Sequence, residues 1–166
     1  MLSRLNQYVL NKKKEFMKNC EIRPLRGYGE INFGMSINDI VSILGEPTNH
    51  EALEPLIEDN ENNSILYEYD DDCLSLYFEG VTKNVVASIS TNNEDALLFG
   101  ERIYDMNINQ ILELMRRNGY KEYEEEDQDG DTCIIFDELM LDFYFKDGDL
   151  IDVLWGVIVD SHGNLI

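Results

Sequence analysis

The chain has 166 residues, 43% of them hydrophobic and 10% aromatic, enough apolar material for one cored domain or two small fused ones and too much for a wholly disordered chain. Its net charge is −21, from 34 Asp and Glu against 13 Lys and Arg. A surplus of that size repels nucleic acid and anionic membrane and draws basic partners over long range, with added solubility as its plainest effect.

The charge is unevenly placed: residues 1–26 hold seven Lys and Arg against two acids, so residues 27–166 carry −26. Cys20, Cys73 and Cys133 are odd in number and never spaced C-x-x-C, which points to unbridged, packed thiols in a reducing compartment. Residues 1–20 lack a continuous apolar core and run into Lys12-Lys13-Lys14, so no secretory signal is expected. No apolar run reaches membrane-spanning length, and a cytoplasmic protein is expected.

In chain order, Leu2, Leu5, Val9 and Phe16 recur at roughly helical spacing and predict an amphipathic helix, docked on the body or forming an N-terminal arm over residues 1–30. Lys12, Lys13 and Lys14 read as its solvated face or as a charge complement to the acidic body, with a nucleic-acid contact as the alternative. Pro24, Gly27 and Gly29 mark an irregular approach to a short extended stretch in which Ile31 and Phe33 alternate with Asn32. Ser36, with Asp39 three positions on, caps a helix whose buried stripe is Ile37, Ile40, Val41 and Leu44. Gly45 is expected in the left-handed conformation at its end, and Pro47 prevents continuation. Residues 48–63, polar and acidic with Pro55, Asn60, Asn62 and Asn63, are expected to form a long loop. Strands are expected at Ile65–Tyr69, Cys73–Phe78 and Val85–Ser90, the last reached through a turn containing Gly80 and Asn84.

After a connector over residues 91–105, a second helix runs from Asn107 to about Arg117, where the helix dipole favours Arg116 and Arg117, and ends at Asn118-Gly119. A short strand at Tyr120–Tyr123 and an acidic loop over residues 122–131 are expected next. Strands at Cys133–Phe136 and Leu139–Phe145 follow, and Asp147-Gly148 makes a two-residue hairpin turn into Leu150–Trp155. Residues 157–166 form a tail.

The two stretches echo each other. Met35, Ile37, Asn38 and Ile40 recur 71 residues on as Met106, Ile108, Asn109 and Ile111. Asp70, Leu74, Tyr77 and Phe78 recur 67 residues on as Asp137, Leu141, Tyr144 and Phe145, so the first acidic loop is four residues longer. The expectation is an α+β fold of two tandem α-β-β-β repeats, residues 31–90 and 106–156, with both helices packed on one face of an antiparallel sheet. Alternation turns Leu74, Leu76, Phe78, Leu141, Phe143 and Phe145 toward the helices. Ser75, Tyr77, Asp142 and Tyr144, with Tyr67 and Trp155, are left for the opposite face. A Tyr-rich, acidic face suits protein binding unless the tail or the N-terminal helix covers it.

Sites for chemistry are harder to find. Counted from Asp127 as a calcium loop, acids fall at positions one, three, five and twelve, but Thr132 replaces the required Gly; counted from Glu125, Gly130 fits and Phe136 takes the place of the bidentate ligand. A solvated acidic turn is expected, and no metal. His50 and His162 accompany no Ser or Cys elbow, the cysteines lack zinc-ligand spacing, and no Gly-rich phosphate loop occurs. Neither enzymatic activity nor a cofactor is expected.

Phe33-Gly34-Met35-Ser36, Asp39-Ile40 and Leu44-Gly45-Glu46-Pro47 resemble the opening of small bacterial proteins built from tandem helix-plus-strand repeats. Over about residues 31–155 the pattern is similar to the β-lactamase-inhibitor-protein fold and, unit by unit, to the SmpA/OmlA outer-membrane assembly lipoproteins. Secreted members carry signal peptides and none is expected here, so the resemblance favours cytoplasmic bacterial immunity proteins. It implies a binding protein whose acidic surface plugs the basic active site of a cognate toxin. The matching residues are caps and buried positions, so no functional residue carries over. The candidate partner-binding residues are therefore the face positions Tyr77, Asp142, Tyr144 and Trp155 and two acidic stretches, Glu68, Asp70, Asp71, Asp72 and Glu124, Glu125, Glu126, Asp127. An envelope-assembly module and a metal-binding protein are the alternatives.

Overall fold

The structure is a computed structural model describing residues 3–16, 18–54 and 62–166. Helix α1 spans Arg4–Phe16. Strands β1 (Glu21–Arg23), β2 (Gly27–Tyr28) and β3 (Ile31–Asn32) precede helix α2 (Ile37–Leu44), which is followed by β4 (Asn49–Leu53), β5 (Asn63–Tyr69), β6 (Leu74–Gly80) and β7 (Val85–Thr91). Strands β8 (Leu97–Leu98) and β9 (Glu101–Arg102) precede α3 (Ile108–Arg117), which is followed by β10 (Glu124–Gln128), β11 (Asp131–Phe136), β12 (Leu141–Lys146) and β13 (Asp149–Gly156).

Both internal helices start at a reciprocal capping box. Ser36 Oγ accepts from Asp39 N at 3.2 Å while Asp39 Oδ2 accepts from Ser36 N at 3.0 Å. Asn107 Oδ1 and Gln110 Oε1 repeat the exchange at 3.0 and 2.9 Å. Each box satisfies donors that a helix N-terminus otherwise leaves open. Gly45 ends α2 with φ 81° and ψ −169°, a positive φ but not the expected left-handed helical conformation. Arg116 and Arg117 close α3, paired with Glu113 at 2.6 Å and Glu101 at 2.9 Å.

Eight strands form one antiparallel sheet in the order β4-β5-β6-β7-β13-β12-β11-β10, so α2 and α3 are each followed by four of its strands, not three. The expected loop over residues 48–63 contains β4, whose residues pair with β5. The expected acidic loop at 122–131 is a hairpin: Asp129 (φ 52°) and Gly130 (φ 89°) form a two-residue turn joining β10 to β11. Ladder hydrogen bonds outweighed composition in both places. No strand forms at Tyr120–Tyr123. Short turns of 3₁₀ helix at Asp70–Asp72 and Asp137–Leu139 lead into β6 and β12, and Cys73 and Met140 take the left-handed conformation after them. Cys73 therefore lies before its strand and is exposed, contrary to the expected packed thiol, while none of the three cysteines is bridged.

A second sheet of very short strands has the order β3-β2-β1-β8-β9, with β1 and β8 parallel. It draws on the residues expected to form the arm and the connector, together with the expected extended stretch at Ile31–Asn32. Here the two halves also echo each other: Gly29-Glu30 between β2 and β3 recurs 71 residues on as Gly100-Glu101.

One core joins these parts. Ile40 and Leu44 of α2, Ile111, Leu114 and Met115 of α3, and Ile22, Tyr28, Ile31 and Leu98 of the small sheet pack with Leu74, Leu76, Phe78, Leu141, Phe143 and Phe145. Helices α2 and α3 and the small sheet thus share one face of the large sheet. Trp155, 1% exposed, is at the centre of that face: its Nε1 donates to Gly27 O at 3.0 Å and its ring meets Tyr28 edge-on at 5.7 Å. Helix α1 lies beside α2 and leaves Leu5, Tyr8 and Leu10 exposed, so it is less closely docked than its spacing suggested. Leu2, Pro55 and Asn60 lie outside the described residues, as do the side chains of Val9, Lys12, Lys13, Lys14 and Phe16. No described helix is long and apolar enough to cross a membrane.

Candidate functional site

The face of the large sheet turned away from the helices is built by alternation along its strands. Ser75, Tyr77 and Glu79 of β6 and Asp142 and Tyr144 of β12 all alternate with buried apolar residues. Strand register carries one row of this face across the whole sheet: Asn49, Glu68, Ser75, Ser90, Leu154, Asp142, Ile135 and Glu124. Tyr77 flanks the row on one side, between Leu66 and Ser88, and Tyr144 on the other, between Cys133 and Asp152.

Three carboxylates on this face, Glu79, Asp142 and Asp152, are half-buried. Burial holds the Asp142 carboxyl above the usual carboxylate range; the Tyr144 hydroxyl, donating to its Oδ2 at 3.4 Å, opposes the shift, and the charges of Asp137 and Glu126 add to it. Burial likewise raises Asp152, against hydrogen bonds from Val153 N and Ser90, and it raises Glu79. The phenols of Tyr77 and Tyr144 are pushed up by burial first and by neighbouring Asp152 and Asp142 second, so both stay protonated donors at neutral pH. Burial and the Asp142 charge also raise the Cys133 thiol, which makes it a poor nucleophile.

Two hollows indent the face. One, of about 410 Å³, is walled by Glu68, Asp70, Ser75, Ser90, Asn92 and Asp152. The other, of about 870 Å³, is walled by Glu126, Asp127, Asp131, Cys133, Asp142 and Tyr144. Ile151 borders both, and neither is lined by Lys, Arg or His among the described residues. Lys146 of β12 stands at the hairpin end, opposite Asp131 and Asp149. The arrangement sets two half-buried acceptors, Asp142 and Asp152, beside phenol donors and among exposed acids, suited to receiving guanidinium or ammonium groups.

The candidates named from sequence divide accordingly. Tyr77, Asp142 and Tyr144 share the open face with Glu68, Glu124 and Glu126. Asp70 and Asp71 stand exposed beside it, and Glu125 and Asp127 belong to the exposed edge strand β10. Trp155 does not join them, because it faces the core, and Tyr67 likewise packs against the core. Asp72 is also turned inward, 5% exposed, where the second half places Leu139. Asp152, Ser90, Leu154 and Ile151 were missed. For Asp152, Leu154 and Ile151 the signal lies in Leu150-Ile151-Asp152-Val153, where buried residues three apart break the period of two and mark a β-bulge.

The calcium-like stretch is occupied by hairpin bonding, with Thr132 Oγ1 donating to Asp127 Oδ1 at 2.6 Å. No group of three or more His, Cys, Asp or Glu among the described residues is placed to hold a metal ion. The C-terminal tail covers only one end of the face: Val157 N donates to Ala87 O at 2.8 Å, Val159 packs on Val85 and Ala87, and Val81 N and Thr82 N donate to Ser161 O.

No protein-family model and no curated protein matches the chain. Among solved structures it is similar to an extracellular protein containing an SCP domain from Bacillus anthracis, at 14% identity and a TM-score of 0.42 over 73% of this chain. The chain spans 42% of that protein.

Proposed function

We propose that the chain is a non-catalytic protein-binding module, formed by duplication of one helix-plus-four-strand unit, whose open sheet face receives a basic protein partner. The observation that carries this reading is the pair of half-buried carboxylates, Asp142 and Asp152, on a Tyr-bearing face whose hollows contain no cation among the described residues. Ionised carboxylates stripped of water and lacking a counter-charge cost the free protein stability, and a partner's Lys or Arg relieves that cost. Tyr144 and Tyr77 supply amphipathic contact area, while the exposed acids of β10 hasten encounter.

Duplication is supported by irregularities shared at constant offset: both 3₁₀ turns, the left-handed residues Cys73 and Met140, and the bulges after Tyr77 and Tyr144. The resemblance to immunity proteins makes a toxin with a basic active site the favoured partner. Immobilised protein and two variants test the reading on host extract. Wild type and the helix-side control Glu113→Lys should retain the same basic polypeptide, and the double variant Asp142→Lys, Tyr144→Ala should lose it. Retention by all three would refute the assignment of the face.

A further inference from the structure

Each half of the large sheet carries one β-bulge on the open face. In the first, Tyr77 opposes Ser88 and Phe78 opposes Val86, leaving Ala87 without a cross-strand counterpart. In the second, Tyr144 opposes Asp152 and Phe145 opposes Leu150, leaving Ile151 in the same place. A bulge bends its strand and frees local backbone groups from the ladder.

The two bulges are finished differently. Ala87 is 0% exposed, because residues 157–159 lie over it: Val157 N bonds the Ala87 carbonyl, and Val159 fills the space beside Ala87 and Val85. Ile151 is 45% exposed and stands as an apolar ridge between the two acid-walled hollows. The chain therefore contains a worked example of how one bulge is covered, and a second bulge without that cover among the described residues.

We infer that Ile151 anchors a docking site for an extended segment of a partner protein, one in which a Val- or Ile-like side chain is flanked by Lys or Arg, laid over the second bulge as residues 157–159 are laid over the first. The inference rests on the open face being the binding surface. The partner's apolar side chain removes Ile151 from water as Val159 does for Ala87. The flanking cations fall toward Asp152 on one side and toward Asp142 and Glu126 on the other. An acidic segment of the same shape would meet like charge in both hollows, so the surroundings of the ridge select the basic one.

The test is chemical-shift mapping on the ¹⁵N-labelled full chain with three short capped peptides: alternating Lys and Val, the same with Ser for Val, and the same with Glu for Lys. The Lys–Val peptide should shift the amides of Ile151, Asp152 and Tyr144 and spare that of Ala87. Ile151→Ser, whose exposed site leaves the rest of the spectrum unchanged, should weaken it about tenfold, as expected for one aliphatic anchor. Equal binding by the Lys–Ser peptide, or no effect of Ile151→Ser, overturns the anchor while leaving the acidic face as a binding surface. Equal binding by the Glu–Val peptide overturns the charge selection. If neither cationic peptide moves an open-face amide, both this inference and the reading it rests on fall.

Discussion

Trp155→Phe separates a structural role for the single tryptophan from a binding one. Trp155 is 1% exposed, opposes Ile89 and Leu141 across the strands, and ties the small sheet to the large one through Gly27 O and Tyr28. Phenylalanine keeps an aromatic ring but loses the indole N–H, worth about 1 kcal/mol as a hydrogen bond. Its smaller ring also leaves a void worth roughly 2 kcal/mol, at about 0.8 kcal/mol per methylene-sized group. Together they predict a loss of about 3 kcal/mol and a fall in Tm of roughly 6–12 °C for a domain of this size. Urea unfolding should be followed by far-UV circular dichroism, because the variant contains no tryptophan to report by fluorescence. A variant within about 0.5 kcal/mol of wild type refutes the clamp. The same variant, measured while folded, should bind a partner as wild type does.

Burial raises the Asp152 carboxyl, so the folded protein holds that proton more tightly than the unfolded chain does. Ionisation therefore costs stability as pH rises through the folded pKa, and below the unfolded pKa the cost is absent. Asp152→Asn should accordingly raise the urea midpoint near pH 7 and leave it unchanged near pH 3; an equal gain at both contradicts the sign. At Gly156 an added Cβ would lie 2.6 Å from Ser88 Oγ and 2.8 Å from Ala87 O, where β13 joins β7. Gly156→Ala should thus cost about 1–3 kcal/mol in thermal unfolding, and a neutral result would mean the junction is looser than described. Asn107→Ala removes the cap of α3 and should cost about 1 kcal/mol in the same assay, with no loss only if the capping box fails to form in solution.

Much of the frame was legible in the residues because local chemistry decides it. Ser36 and Asn107 declare their caps, Asp147-Gly148 its turn, and the alternation from Leu74 and Leu141 its buried face. The less legible parts depend on partners far along the chain. Asn49–Leu53 and Glu124–Gln128 have loop-like composition, yet hairpin pairing makes them edge strands, where exposed charge is tolerated. Trp155 was assigned to the wrong face because the bulge at Ile151 resets the alternation two residues before Val153. Of the small sheet only the extended stretch at Ile31–Asn32 was legible, because its other strands are two or three residues long, too short for a periodic signal. At the candidate site, Tyr77, Asp142 and Tyr144 followed from alternation, whereas Asp152 and Ile151 required the register of β13 against β12.

Radical footprinting of the complex with a captured partner locates the bound surface. Binding across the open face predicts that oxidation of Tyr144 and Ile151 slows several-fold while Tyr120, Tyr123 and Leu112 beside α3 react as in the free protein. Protection of the α3 residues with Tyr144 and Ile151 unchanged would place the partner elsewhere and contradict the account.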